Sequence, residues 1–209
     1  MPDLVTLQEV KKYLRIAKTS EHDDELNAII PAVSEDIRRF TGFDWDTRAY
    51  TERRDGQNVR GLLALRGGLP GPPIVSVESV TENGTALVVA TQYSTSADVV
   101  VDLERGWFYR QGGTTPVSGG LASTPGLWCP GLLNVVLSYT TGYAPASIPA
   151  DIKLPAKYAC GVFLKHVDAK WIGIQSRSAG QGSVSLIDVL PALYLGMLER
   201  RRRVMAPAA

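Results

Sequence analysis

Hydrophobic residues recur at helical spacing at the start of the chain. Thr6 and Glu9 have the spacing of a capping box, and the apolar positions after them predict a first helix over about residues 6 to 16. Ser20 then precedes an acidic run and a continuous apolar face, which predicts a second helix that ends near Gly42. The chain therefore opens with two helices.

The same periodicity returns at the other end of the chain. It predicts a third helix over residues 150 to 168, followed by a Ser- and Gly-rich loop at 176 to 185. Asp188 is the expected cap of a final helix, which ends in the four cations Arg200 to Arg203. The apolar positions of that helix are Leu190, Tyr194, Met197 and Leu198.

From about residue 48 the pattern changes to alternating or continuous β-type runs separated by turn signals. Asn83-Gly84 is the strongest of these signals, because this pair readily supplies the two positive φ angles of a type I′ hairpin. Residues 67 to 73 and 114 to 130 are rich in Gly and Pro and are expected to form surface loops. The predicted strands are 49–53, 62–65, 74–80, 86–90, 99–103, 107–110 and 133–139.

This order of elements predicts an α+β fold. Two N-terminal and two C-terminal helices form a small helical bundle, and the strands form an inserted antiparallel β module. The helical connector domain is expected to comprise residues 1–47 and 145–209, and the β module residues 48–144.

Composition and charge narrow the class of protein. Hydrophobic residues make up 44% of the 209 residues and charged residues 21%, which is typical of a soluble globular protein and excludes global disorder. Lys and Arg number 22 against 21 Asp and Glu, so the net charge is +1. This balance argues against a dedicated nucleic-acid binder with a broad basic field.

The two cysteines indicate a reducing compartment, and the hydropathy of the chain predicts no membrane span. Cys129 and Cys160 are too few for a disulfide scaffold and lack the spacing of a zinc site. No export signal is expected at the N-terminus, and no stretch approaches the roughly 18 apolar residues of a membrane span. We expect no membrane partner.

No catalytic motif emerges from the sequence. Gly180-Gln181-Gly182-Ser183 matches neither a nucleophile elbow nor a phosphate loop, which favours simple loop flexibility. His22 and His166 are the only histidines, and each lies near a predicted helix end where surface placement or dipole complementation explains it. We therefore predict no catalytic residues, no metal site and no cofactor.

Two features suggest contacts with other macromolecules. The run Arg200 to Arg203 suits a phosphate backbone, a negative partner surface, or water and the dipole of its own helix. In Trp107-Phe108-Tyr109-Arg110 consecutive strand residues face opposite ways, so one aromatic side chain must lie on the outer face and is a candidate interface residue.

The order of these signals resembles the head-to-tail connector, or adaptor, proteins of long-tailed double-stranded DNA bacteriophages. The resemblance extends over about residues 5 to 200. Two features depart from the family pattern: Pro155 early in the third helix and the four-arginine end. The segments that carry the resemblance are 7–16, 21–30, 37–42, 69–80, Asn83-Gly84, 135–143 and 148–153.

The resemblance implies a structural role in the virion. It implies a ring, most often of twelve copies, that lies beneath the portal protein ring, extends the channel for double-stranded DNA and binds a stopper or tail-terminator neck protein. The location would be the head-tail neck of the virion, and the host cytoplasm during assembly. The alternatives are another neck or tail-completion (stopper) protein, a DNA-binding module that uses the C-terminal arginines, and a small enzyme.

The final helix is the candidate contact surface for the portal or for DNA. We expect it to be separated from the body by the 176–185 loop and to become ordered on a partner ring. The candidate contact residues are Leu190, Tyr194, Met197, Arg200, Arg201, Arg202 and Arg203.

Overall fold

The computed structural model describes residues 3–94, 96–111, 126–168 and 190–202, except the side chains of residues 166 and 168. The chain divides into two compact units, one of Met1–Asp46 with Ala144–Ala209 and the other of Thr47–Tyr143. Four α-helices and two four-stranded sheets occur in the described parts, which confirms the mixed α+β class. None of the described helices is long and apolar enough to cross a bilayer.

The first unit is helical. Its helices are α1 (Leu7–Leu14), α2 (Asp23–Thr41), α3 (Ala150–Asp168) and α4 (Ala192–Arg200), with a short 3₁₀ turn at Pro145–Ser147. Helices α2 and α3 pack on each other, and α3 also contacts α1 and α4. The buried apolar side chains include Leu26, Ile30, Ile37, Ile152, Ala156, Cys160 and Leu198.

Helix boundaries follow local chemistry at two of the ends. Thr6 and Glu9 form the predicted capping box at the start of α1, and Gly42 ends α2 in the left-handed conformation with φ of 77°. Helix α2 begins at Asp23, after His22, which makes no side-chain capping bond. Pro191 precedes α4, and the expected cap at Asp188 lies outside the described residues.

The second unit is a β module of two sheets. The strands are β1 (Arg48–Arg54), β2 (Gly61–Leu63), β3 (Ile74–Glu82), β4 (Thr85–Ala86), β5 (Val89–Ala90), β6 (Val99–Asp102), β7 (Trp107–Arg110) and β8 (Val135–Thr141). One sheet has the order β1-β8-β3-β4 and the other β2-β7-β6-β5. Side chains from both sheets, among them Val80, Val101, Phe108, Leu137 and Tyr139, form one apolar core together with Trp128.

The hairpin at Asn83-Gly84 confirms the turn prediction. Asn83 has φ of 51° and Gly84 φ of 78°, and Glu82 pairs with Thr85 across the turn. The single strand predicted at 86–90 is wrong. It is broken at Val88, whose N–H donates to the Asp98 carboxylate at 2.9 Å.

The β module is not wholly antiparallel, because β5 pairs parallel to β6. Two more predicted strands begin or end elsewhere. Leu133 adopts φ of 49° and its N–H donates to Asp55 at 2.6 Å, so β8 starts at Val135. Leu65 donates its N–H to the Glu52 carboxylate, so β2 ends at Leu63.

The segment at residues 67–73 is buried at several positions, which corrects its expected placement on the surface. Gly67, Gly68, Gly71 and Pro72 are all buried. Gly68 has φ of 83°, and a Cβ atom there would lie 2.3 Å from the carbonyl oxygen of Arg105. The glycines therefore allow this segment to pass directly against the β6–β7 hairpin. Residues 114–125 of the second predicted loop lie outside the described residues, whereas Trp128 and Cys129 near its end are buried.

Candidate assembly surface

Helix α4 is held against α2 and α3 by its apolar side. Leu198 is fully buried, and Leu190, just before the helix, is also buried. The Tyr194 ring packs on Tyr158 of α3 with centroids 4.8 Å apart. Residues 190–202 therefore form part of the helical unit, which differs from the expectation of a helix separated from the body.

A cluster of three tyrosines joins α1, α3 and α4. Tyr13 of α1 is hydrogen-bonded to Tyr194, and that bond, with burial and the neighbouring phenol of Tyr158, raises the pKa of Tyr13 to about 12. The Tyr13 phenol therefore stays uncharged at neutral pH. The cluster fixes the rotation of α4 about its own axis.

The C-terminal end of α4 is attached to the bundle at two points. The Arg201 Nε lies 2.8 Å from Oδ2 of Asp151, at the start of α3. The Arg202 guanidinium lies 5.3 Å from the ring centroid of Phe40, in the last turn of α2. The basic run is thus partly fixed in place.

Helix α1, which carries Tyr13, is fixed by charged groups. Lys153 of α3 approaches the Glu9 carboxylate at 2.9 Å, and the Glu9 side chain also accepts the Thr6 N–H. Partial burial raises the pKa of Glu9, but the Thr6 hydrogen bond and the lysine charges outweigh it, so this pKa lies below its usual value. On the other side of α1, the buried Lys11 pairs with Asp23 at 2.6 Å.

The predicted contact residues of α4 fall into three environments. Leu190 is buried in the chain itself, so it is not part of the exposed surface in this arrangement. Tyr194, Met197 and Arg201 are half-buried, and Arg203 lies outside the described residues. Arg200 and Arg202 are exposed.

Leu193 is a surface residue that the sequence reasoning missed. Its side chain is 66% exposed at the start of α4. Leu193 lies one position before Tyr194 and therefore points away from the buried apolar stripe of the helix. An apolar residue outside such a stripe is the sequence signal that could have identified it. We define the α4 surface as Leu193, Arg200 and Arg202.

The described side chains form neither a metal site nor a reactive thiol. No group of three or more His, Cys, Asp or Glu side chains within the described residues could hold a metal ion. Burial raises the pKa of the Cys160 thiol to about 12, so this thiol is a poor nucleophile. His22 lies at the start of α2, and the side chain of His166 is outside the described part.

The aromatic run of β7 divides as expected between two faces. Phe108 lies in the core, and Arg110 is buried on the same side. Trp107 and Tyr109 lie on the other face, stacked with centroids 6.0 Å apart and half-buried. They straddle Gly61, where a Cβ atom would lie 3.0 Å from the Trp107 ring.

Comparison with known proteins gives matches over nearly the whole chain. The model of a family described as head completion protein matches residues 3–204. A solved chain from the neck of an empty GTA particle, computed with C6 symmetry, is 15% identical with a TM-score of 0.50, and the match covers 99% of this chain and 93% of that one. No curated protein matches significantly.

Two further solved chains are similar at the same identity of 15%. One belongs to the virion of a native gene transfer agent (GTA) particle, with a TM-score of 0.49 and coverage of 99% of this chain and 93% of that chain. The other belongs to the neck of a native GTA particle computed with C12 symmetry, with a TM-score of 0.43 and coverage of 100% and 97%.

Proposed function

Because the chain belongs to the head completion protein family, we propose that it is a structural virion protein, a head-tail adaptor of the neck. The observation that carries this proposal is the family match over residues 3–204, which includes both compact units. In this role the protein forms a ring beneath the portal, extends the DNA channel and joins the filled capsid to the tail. Its role is structural and not enzymatic.

The two units have different tasks in this proposal. Residues 1–47 and 145–209 form the connector domain that binds the portal ring, and residues 48–144 form the inserted β module. The ring is built from about twelve copies through head-to-tail contacts between different surfaces of neighbouring subunits. Its other partners are a stopper or tail-terminator protein below and the double-stranded DNA in the lumen. Subunits assemble in the host cytoplasm and remain in the virion neck.

The α4 surface is the proposed portal contact. Leu193 offers an exposed apolar side chain near the start of the helix, and Arg200 at its end and Arg202 just after it add positive charge. The packing of Leu198 and the ion pair of Arg201 with Asp151 hold the helix in place before any partner arrives. A preformed helix lowers the ordering cost of binding.

The test is association of the purified protein with portal rings of the same particle, measured by light scattering and negative-stain microscopy. We expect the wild-type chain to attach as a ring, and Leu193→Asp and Arg200→Glu each to weaken attachment by about tenfold or more. Leu132→Asp is the matched control, because Leu132 is 83% exposed but lies in the β module. This variant should attach like the wild type.

Other outcomes identify the alternatives. A chain that ignores portal rings but attaches to tails is a stopper or tail-completion protein. A chain that ignores both and binds duplex DNA tightly through Arg200 and Arg202 is a DNA-binding module. Equal loss of attachment in Leu193→Asp and Leu132→Asp would contradict the assignment of the contact to α4.

A further inference from the structure

The two sheets of the β module share one core, so each sheet has an inner face and an outer face. The core contains Leu62 and Phe108 of one sheet and Leu137 of the other. Because side chains alternate along a strand, the residues between such core positions belong to the outer faces. The two outer faces therefore lie on opposite sides of one compact unit.

The outer face of the β2-β7-β6-β5 sheet is largely apolar. Its side chains lie in two neighbouring rows across the strands, and none of them is fully buried. The rows, here called the aromatic face, are Gly61, Tyr109, Val100 and Ala90, and next to them Leu63, Trp107 and Asp102. The outer face of a sheet is commonly polar where water covers it. A face with one charged residue in seven therefore suits a contact with another protein surface.

The two aromatic side chains of this face have free hydrogen-bond donors. Within the described residues, the indole N–H of Trp107 and the hydroxyl of Tyr109 have no hydrogen-bond partner. Their rings are held in place by each other and by Gly61, where a Cβ atom would lie 3.0 Å from the Trp107 ring. Fixed Trp and Tyr rings with a free polar group are typical of the residues that contribute most to protein interfaces.

The outer face of the other sheet is lined mainly by small hydroxyl side chains. Its residues lie in three rows across β1, β8 and β3, and the Thr51 and Ser138 hydroxyl oxygens lie 3.2 Å apart in the middle row. The rows, which together with Glu78 are here called the hydroxyl face, are Ala49, Thr140 and Ser76; Thr51, Ser138 and Ser79; and Arg53, Val136 and Thr81. Six of these nine row residues are Ser or Thr, so most of the surface is shallow and polar.

Glu78 is fixed on the hydroxyl face at a β-bulge. The register of β3 and β8 shifts between Val77 and Ser79, which leaves Glu78 with no residue opposite it. Ser76 and Thr140 both donate to its Oε1, at 2.8 and 2.7 Å. No cation contacts this carboxylate in the part of the chain that the structure describes. Glu78 is therefore a fixed acceptor whose charge is not neutralised.

The two faces complement each other. Small Ser and Thr side chains leave room for the rings of Trp107 and Tyr109, and their oxygens, with those of Glu78, can accept the hydrogen bonds that the rings donate. Opposite charges are also available. Arg53 is exposed and has no acidic partner among the described residues, whereas Asp102 of the aromatic face meets only Arg105, at 3.9 Å.

We propose that the aromatic face of one copy packs on the hydroxyl face of the next copy in the ring. The choice of a second copy rests on the proposed function, because a head-to-tail ring needs two different surfaces on each subunit. Strand spacings of about 4.8 Å and about 3.3 Å per residue give the aromatic face a projected area of about 250 Å². A contact of this size is well below the roughly 1,200 Å² in total that a stable complex buries. Free subunits therefore associate weakly, and the portal holds neighbours together.

Sedimentation equilibrium of the intact chain at rising concentrations tests the contact. We expect the mean mass of the wild type to rise past that of a dimer, because a head-to-tail contact leaves one face free at each end. Tyr109→Glu places a negative charge against Glu78, and Ser138→Arg fills the shallow surface. Each should weaken self-association by about tenfold or more. Leu132→Asp is the matched control, since Leu132 is 83% exposed in the same unit but belongs to neither face, and it should associate like the wild type.

A mixture of the two variants distinguishes a head-to-tail contact from a symmetric one. Each variant keeps one intact face, so an equimolar mixture should form dimers and nothing larger. Wild-type association of Ser138→Arg on its own would show that the hydroxyl face takes no part, and this would overturn the proposal. A wild-type chain that stays monomeric at every concentration, or a loss in Leu132→Asp equal to that in Tyr109→Glu, would also overturn it.

Portal attachment separates this proposal from the proposed function. Complete rings of Tyr109→Glu or Ser138→Arg on the portal would refute the contact and leave the adaptor role intact. A wild-type chain that self-associates as expected but ignores portal rings would refute the adaptor role and leave the contact standing. Each variant must show the thermal unfolding curve of the wild type. Leu63→Asp, at a more exposed position of the aromatic face, replaces Tyr109→Glu if that variant unfolds at a lower temperature.

Discussion

The guanidinium of Arg110 lies against the carboxylate of Glu82 in the interior of the β module. Its Nε is 3.1 Å from Oε2 of Glu82, and both side chains are almost completely buried. The second carboxylate oxygen of Glu82 accepts the Cys129 N–H at 2.6 Å, and Arg110 also donates to the carbonyl of Asp98. The pair therefore connects β3, β7, the start of β6 and the segment before β8.

Removal of one member of this pair should be costly. In Arg110→Met the carboxylates of Glu82 and Asp98 lose their buried cation, and we expect the free energy of unfolding to fall by about 3–5 kcal/mol. Urea denaturation followed by tryptophan fluorescence measures this change. Arg105→Gln breaks only the exposed contact with Asp102 and should cost less than about 1 kcal/mol. Similar losses in the two variants would contradict a structural role for the buried pair.

Glu9 should make stability depend on pH in the acid range. Its pKa is lowered below the usual 4.5 in the folded protein, so its contribution is present above pH 4.5 and is lost as the pH falls through the folded value. Glu9→Gln keeps an acceptor for the Thr6 N–H but loses the charge near Lys153. We expect it to be less stable than the wild type by about 0.5–1 kcal/mol at pH 7.

Thermal unfolding at pH 7 and at pH 3 tests this expectation. The difference between Glu9→Gln and the wild type should shrink at the lower pH, where more of the wild-type carboxylate is protonated. A difference that is the same at both values would mean that packing and not charge is responsible.

Gly68 and Gly84 offer a matched pair of left-handed glycines. Both have positive φ, so alanine costs about 1–2 kcal/mol at either position on backbone grounds alone. At Gly84 nothing lies within 4 Å of the added Cβ, whereas at Gly68 the Arg105 carbonyl would be 2.3 Å away. We expect Gly68→Ala to cost about 2–5 kcal/mol, because the β6–β7 hairpin must move as well. Equal unfolding midpoints for Gly68→Ala and Gly84→Ala would show that the segment around Gly68 adjusts to the added methyl group.

Local patterns were enough to predict much of the fold. The Thr6 and Glu9 spacing, the glycine at position 42 and the Asn83-Gly84 turn each act within a few residues, and each was confirmed. The resemblance to head-to-tail connectors is likewise confirmed at the level of the family.

The errors share a different cause. The burial of Gly68 depends on Arg105, the break in the 86–90 strand on Asp98, and the start of β8 on Asp55. These partners lie from 10 to 78 residues away along the chain, and no local pattern identifies them. The burial of Glu52, Glu82 and Asp98 was not predicted either, because composition does not show which acids are buried.

The exposure of α4 could be predicted only in part. Its apolar stripe included Leu198, but the sequence did not show that this side chain would be buried in the chain itself or that Arg201 would pair with Asp151, 50 residues earlier. That ion pair and the buried Leu198 explain why the described helix packs on the bundle.

Gly196 gives a way to strengthen α4 without touching its surface contacts. Glycine in a helix is less favourable than alanine by about 1 kcal/mol, and a Cβ at Gly196 would meet nothing within 4 Å. Gly196→Ala should therefore raise the free energy of unfolding by about 0.5–1 kcal/mol. Gly161 of α3 is the matched control, because a Cβ there would lie 2.6 Å from Cδ2 of Leu14 and the leucine must move. Gly161→Ala should gain less or lose stability. Denaturant unfolding of both variants measures which substitution gains more stability. A greater gain for Gly161→Ala would mean that α1 does not pack against α3 as closely as the Leu14 contact indicates.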